Sequence, residues 1–227
     1  MLRRLLITGV VLVLLLVVAD RVAVHVAQNV AADNLKSSQH LTSTPSVDIA
    51  GFPFLTQLAS GDFDRITVDA NAVPVGSSAR VVQLAHLHVV LRGVSVTRSF
   101  SRVHADRADA TARIGYAELS KALGVQVTYA GSGRVRATAS LTVLGRKLSG
   151  SITAHPELHG SALGFGGAQL AGAGSLAAEL SRLLRKVFDV EIPLADVPFQ
   201  VRVTSLEATA SGLQAAFAGQ DLSYQKS

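Results

Sequence analysis

A strict alternation of apolar and polar side chains follows a short glycine turn near the middle of the chain. Its apolar members are Val135, Ala137, Ala139, Leu141 and Val143, and its polar members are Arg134, Arg136, Thr138, Ser140 and Thr142. A period of two residues predicts a half-buried β-strand. Gly131-Ser132-Gly133 predicts a tight hairpin before it, and Leu144-Gly145-Arg146 predicts a second turn after it. The sequence therefore predicts a meander of antiparallel strands.

Other segments extend this pattern to most of the chain. Further strands are predicted at Arg80 to Arg92, Val103 to Ile114 and Leu213 to Phe217, and their inward residues are mainly Ala, Val and Leu. Two helices are predicted, a short one from Tyr116 to Leu123 that ends at Gly124, and one from Ser175 to Phe188 with a leucine stripe. We expect an α+β fold in which a long curved antiparallel sheet wraps around one or two helices. Residues 40–227 are expected to form a single domain.

The N-terminus has the features of a leader that directs export. Met1-Leu2-Arg3-Arg4 is basic, and the apolar run from Leu5 to Ala19 is short for a full span and typical of a secretory signal. An apolar helical stripe continues beyond it, at Val22, Ala23, Val26, Ala27, Val30 and Ala31. The leader, residues 1–39, is therefore either a cleaved signal or an uncleaved anchor, and both place the remainder outside the cytoplasmic membrane. Asn34 to Ser46 is polar and is predicted to be a linker.

The stretch from Pro45 to Asp69 is a predicted strand, an apolar corner, one turn of helix and a second strand. Gly51 and Pro53 break the first strand, and Gly61 ends the helical turn. Four large apolar residues stand between these positions, although aromatic residues make up only 5% of the chain: Phe52, Phe54, Leu55 and Leu58. Such a cluster usually plugs a core. The alternative is the lip of an apolar cavity or a corner that contacts a membrane.

This corner also carries a resemblance to a known family. The run Gly51-Phe52-Pro53-Phe54-Leu55-Thr56-Gln57-Leu58 resembles the actinobacterial LmeA-like family of envelope phospholipid-binding proteins. Weaker matches are Tyr116-Ala117-Glu118-Leu119, Ile192-Pro193 and Gly212-Leu213, so that the resemblance spans roughly residues 20–224. It implies a fold similar to the tubular lipid-binding proteins and an anionic phospholipid ligand, such as a phosphatidylinositol-type lipid. The implied role is the maintenance of envelope lipids and lipoglycans in the periplasm.

We expect the acyl chains of that lipid to enter an apolar groove between the sheet and the helix at Ser175 to Phe188. Each methylene buried there contributes about 0.8 kcal/mol, so binding needs no catalytic group. The residues expected to contact the lipid are Phe52, Pro53, Phe54, Leu55, Leu58, Leu184 and Phe188.

Charge is concentrated in one segment of the chain. The net charge is +5 overall, but residues 80–147 alone carry eleven basic and three acidic residues. The arginines of this segment alternate with apolar residues and are not interleaved with aromatics, which favours an anionic head group or surface as partner over nucleic acid. Alternatively, the same arginines form the solvated face of a sheet.

Motifs of catalysis and of cofactor binding are weak or missing. The chain has no Cys, and it contains no G-x-S-x-G, H-E-x-x-H or P-loop motif. His86 and His88 share one face of a predicted strand but lack a third metal ligand nearby. Gly172 to Ala177 matches G-x-G-x-x-A without the upstream buried strand that a dinucleotide site requires. We therefore predict a non-catalytic binding protein without a cofactor or metal; the alternative is a membrane-anchored scaffold with a protein partner.

Overall fold

The computed structural model describes residues 2–77, 80–97, 102–143, 146–159, 162–171, 192–193 and 202–225. Three helices and eleven strands lie in these ranges. They are α1 (Leu2–Ser38), β1 (Ser46–Ala50), α2 (Phe54–Ser60), β2 (Asp62–Ser77), β3 (Arg80–Val96), β4 (Arg102–Ile114), α3 (Tyr116–Leu123), β5 (Gln126–Gly131), β6 (Arg134–Val143), β7 (Arg146–His159), β8 (Ala162–Ala171), β9 (Ile192–Pro193), β10 (Arg202–Thr209) and β11 (Gly212–Gln225).

The strands form two antiparallel sheets, which confirms the predicted α+β class. One sheet has the order β1-β2-β3-β4-β11-β10, and the other follows the chain from β5 to β9. The helix expected at Ser175 to Phe188, with Leu184 and Phe188, lies outside the described residues. The same holds for the Gly172 to Ala177 motif and for Leu144-Gly145.

The contacts divide the chain into two compact units. The first unit contains Met1–Ala70, His88–Asp109 and Gly219–Ser227, and the second contains Asn71–Leu87 and Ala110–Ala218. Each unit has its own apolar core. The expectation that residues 40–227 form one domain stays a prediction.

The core of the second unit lies on one face of the β5–β8 meander. Val127 of β5, Ala137 of β6 and Ile152 of β7 pair across neighbouring strands and are all buried, as the alternation in the sequence predicts. Ser132 and Gly133 have positive φ, of 49° and 68° respectively. Positive φ at both central residues fits the type I′ turn favoured by two-residue hairpins.

Side chains of helix α3 attach it to the core of the second unit. Leu119 is buried among the strand residues, and the Tyr116 hydroxyl donates a hydrogen bond of 2.6 Å to the Thr209 carbonyl oxygen. Burial raises the pKa of the Tyr116 hydroxyl above its usual value, and the nearby Tyr129 raises it further. The Ser120 hydroxyl accepts a hydrogen bond of 2.8 Å from the Val127 N–H. The helix boundaries and the stop at Gly124 agree with the sequence prediction.

Helix α1 is longer than the sequence predicts. It continues without a break to Ser38, so the predicted linker from Asn34 is helical over its first residues. The predicted apolar stripe packs in part. Ala23 and Ala27 contact the core of the first unit beside Val24, whereas Val22, Val26 and Val30 are exposed.

Candidate membrane interface at the α1–α2 junction

The sequence from Gly51 to Gly61 forms a sharp corner that contains one short helix. Gly51 has φ of 113°, the Phe52–Pro53 peptide is cis, and Pro53 is the N-cap residue of α2 with extended dihedrals. Gly61 ends the helix in the left-handed region at φ of 82°, as helix-terminating glycines commonly do. The Gly61 N–H donates to the Gln57 carbonyl oxygen at 2.8 Å. A residue with a side chain is strained at either glycine position.

The corner separates its four large apolar residues onto two sides. Phe54 is 1% exposed, and its ring centroid lies 6.3 Å from that of Phe63 in the core of the first unit. By contrast, Phe52, Leu55 and Leu58 are 61%, 41% and 46% exposed. Phe54 therefore plugs the core, whereas the other three residues form an apolar surface. We call Phe52, Leu55 and Leu58 the α2 surface.

Helix α2 receives its N-terminal cap from α1. Pro53 has no side-chain acceptor to offer. The Asp20 carboxylate instead accepts the Leu55 N–H at 2.8 Å, and Arg21 donates to the other carboxylate oxygen at 2.6 Å. Asp20 is only 2% exposed. These bonds therefore satisfy a buried charge. The sequence analysis missed this contact, since Asp20 and Leu55 lie 35 positions apart.

Arg21 joins the same junction to the exposed side of the corner. Its guanidinium carbon lies 5.2 Å from the centroid of the Phe52 ring. This is a cation–π geometry. One guanidinium nitrogen also lies 3.5 Å from the Gly51 carbonyl oxygen. Phe52 is thus held beside the end of the apolar run although most of its ring is exposed.

The C-terminal end of α2 is fixed by β3 and β2. The Val96 N–H donates to the Gly61 carbonyl oxygen at 2.8 Å, and the Gln57 side-chain oxygen accepts the Asp64 N–H at 3.0 Å. With Asp20 at its first turn, the short helix is held at both ends. This matters because a helix of two turns is not stable by itself in water.

Two histidines of the described residues contact polar side chains. His86 contacts Asn71 at 3.1 Å, and His88 contacts the Asp69 carboxylate at 2.7 Å. No group of three or more metal-binding side chains occurs in the part of the chain that the structure describes. A depression beside Phe63 is lined by Asp62, Asp64 and Asp106, so it is acidic and unlike an acyl-chain groove.

Comparison with known proteins identifies the family. A family model described as LmeA-like phospholipid-binding matches residues 18–218. The chain belongs to the LmeA-like family. No curated protein and no solved structure matches it. The match to the LmeA-like model begins two residues before Asp20, so it includes the cap, Arg21 and α2 and leaves out most of the apolar run.

Removing the cap from this LmeA-like protein is expected to loosen α2. In Asp20→Ala, the Leu55 amide should exchange its hydrogen roughly tenfold faster or more, because the loss of an N-cap weakens the first turn. Asp20→Asn keeps an oxygen acceptor, so its Leu55 amide should exchange at a rate between those of Asp20→Ala and the wild type. Hydrogen exchange of the full chain in lipid nanodiscs measures both rates. An unchanged Leu55 rate in Asp20→Ala would show that the cap does not hold the helix.

Proposed function

We propose that the protein binds one anionic phospholipid, of the phosphatidylinositol type, without chemical turnover. The observation that carries this proposal is the family match over residues 18–218. In the proposal, the acyl chains enter an apolar groove on the outer side of the cytoplasmic membrane. Binding there supports the maintenance of envelope lipids and lipoglycans.

The long apolar helix supports a location at the membrane. Helix α1 is long and apolar enough to cross a bilayer. Every residue from Leu2 to Ala19 is exposed, whereas the helix packs against the first unit beyond that point. We propose that α1 is an uncleaved anchor and that the packed part of the chain lies outside the cytoplasm, following the basic residues Arg3 and Arg4.

The basic segment supports an anionic ligand. Arg102, Arg107 and Arg136 are exposed on strands β4 and β6. An exposed guanidinium can donate two hydrogen bonds to a phosphate, and it is more weakly hydrated than the ammonium group of Lys. We propose that arginines of residues 80–147 contact the phosphate of the lipid.

The test is native mass spectrometry of the full chain. The protein is delipidated in a non-ionic detergent and incubated with vesicles that mix phosphatidylcholine, phosphatidylethanolamine, phosphatidylglycerol and phosphatidylinositol. We expect a one-to-one lipid adduct that is enriched in phosphatidylinositol relative to the vesicles. Lipids that merely surround α1 would instead follow the vesicle composition and show no fixed stoichiometry.

Three other outcomes would contradict the proposal. A neutral lipid at one-to-one stoichiometry would refute the head-group assignment. The absence of any stoichiometric adduct would refute the groove and favour a scaffold with a protein partner. Hydrolysed or transferred lipid in the mixture would show an enzyme.

A further inference from the structure

The exposed apolar side chains of the protein are concentrated beside the exposed apolar helix. Outside α1, the large apolar residues that are exposed in the described ranges are Phe52, Leu55, Leu58, Val75 and Tyr129. Three of these five form the α2 surface, within seven positions of the sequence. Their exposure is not a result of poor packing, because Phe54 in the same corner is fully buried.

The α2 surface lies at the level where the apolar run ends. Arg21 stacks on Phe52, and Asp20 bonds the backbone of Leu55, while the last residue of the run is Ala19. Because a helix rises about 1.5 Å per residue, Phe52 and Leu55 lie beside a point only a few ångströms past the end of the run. A bilayer that surrounds the exposed part of α1, from Leu2 to Ala19, would therefore have its outer interface at α2.

We propose that the α2 surface inserts into the membrane interface and seats the first unit on the bilayer. The cap from Asp20 and the contact of Val96 with Gly61 hold α2 in a fixed position relative to α1. The three side chains enter the boundary between head groups and acyl chains, as apolar faces of interfacial helices do. Arg21 remains at head-group level above Phe52.

The charges next to the α2 surface indicate which force dominates. Arg21 is paired with the Asp20 carboxylate, and Asp62, Asp64 and Asp106 line the depression beside Phe63. Without a net positive charge, the surface gains little from anionic lipid. Insertion is therefore driven by burial of apolar area, and it should change little with salt or with the fraction of anionic lipid.

This inference rests on the part of the proposed function that places α1 across the membrane, and it is independent of the lipid groove. The chain contains no Trp, so a single introduced Trp reports its own surroundings. The probes are Phe52→Trp and Leu58→Trp. The matched control is Ser46→Trp, an exposed position of the first unit on the β1 face whose Asp48 bonds Gln28, eight residues beyond Asp20 on α1.

The experiment uses the full chain in phosphatidylcholine vesicles with brominated acyl chains. We expect the Phe52→Trp and Leu58→Trp indoles to emit at shorter wavelength and to be quenched at a depth of about 5–10 Å into the interface. Iodide, which stays in the water, should quench neither indole. The Ser46→Trp indole should be quenched by iodide and not by bromine.

A second set of variants tests whether the surface acts as a unit. Adding Phe52→Ser and Leu55→Ser to Leu58→Trp should shift its emission to longer wavelength and reduce its quenching by bromine. Adding Val75→Ser and Tyr129→Ser, which remove the other exposed apolar side chains, should change neither signal. Folding is checked by circular dichroism in each variant.

The proposal is overturned if iodide quenches the Phe52→Trp and Leu58→Trp indoles as strongly as it quenches the control indole. It is also overturned if the control is quenched by bromine to the same extent. Carbonate extraction of the same vesicles shows whether α1 is anchored, and native mass spectrometry shows whether a lipid is bound. A failure of docking is thereby distinguished from a failure of the anchor or of the groove.

Discussion

Phe54→Ala is expected to lower the free energy of unfolding by about 3–5 kcal/mol, because it removes a buried aromatic ring and leaves a cavity. The ring packs against Phe63, and Val24 of α1 belongs to the same core. Since domains of ordinary stability unfold with about 5–15 kcal/mol, this loss is a large share of the total. The midpoint of thermal unfolding, followed by circular dichroism of the full chain in detergent, measures it.

Phe52→Ala is the matched control, two residues away in the same corner. Its ring is mostly exposed. The substitution should therefore change the free energy of unfolding by about 0.5 kcal/mol at most, as surface substitutions usually do. The small loss includes the contact with Arg21. Equal effects of the two variants would refute the division of the corner into a core side and a surface side.

The sequence alone does not separate these two phenylalanines. Both lie in one apolar cluster, and Gly51 interrupts the alternation of β1 before it reaches them. Once the alternation is broken, the path of the corner decides whether each following side chain faces the core or the surface. The sequence predicted the corner and its helical turn, whereas the orientation of each ring required the structure.

Elements whose signals are local were predicted well. Two residues with positive φ make the turn between β5 and β6, and glycines in the left-handed region end both α2 and α3. Each of these signals lies within a few positions of the structure that it specifies. The boundaries of α3 and the burial of Val135 and Ala137 in β6 follow from the sequence for the same reason.

Contacts between distant positions were not predicted. The only sign of the Asp20 cap in the sequence is that Phe54 is preceded by Pro53, which cannot cap a helix with its side chain. The acidic residue that supplies the cap stands at the end of the apolar run, where the sequence analysis treated it as the boundary of a leader. A helix without its own cap is thus a reason to search the rest of the chain for a carboxylate.

The two glycines that end α2 and α3 look equivalent in the sequence but should respond differently to substitution. Gly61 and Gly124 have φ of 82° and 68°. In the left-handed region, Ala costs about 1–2 kcal/mol at either position. At Gly124, nothing lies within 4 Å of an added Cβ atom, so this strain is the whole effect.

At Gly61 an added Cβ atom would lie 2.5 Å from the carbonyl oxygen of Val96. This oxygen belongs to the backbone of β3 and cannot move without disturbing the bond between the Val96 N–H and Gly61. The displacement adds about 1–3 kcal/mol, so Gly61→Ala should lower the free energy of unfolding by about 2–5 kcal/mol, and Gly124→Ala by about 1–2 kcal/mol. Thermal unfolding of both variants measures the difference. Equal losses would mean that α2 is not held against β3 as described, and the fixed position of the α2 surface would lose its support.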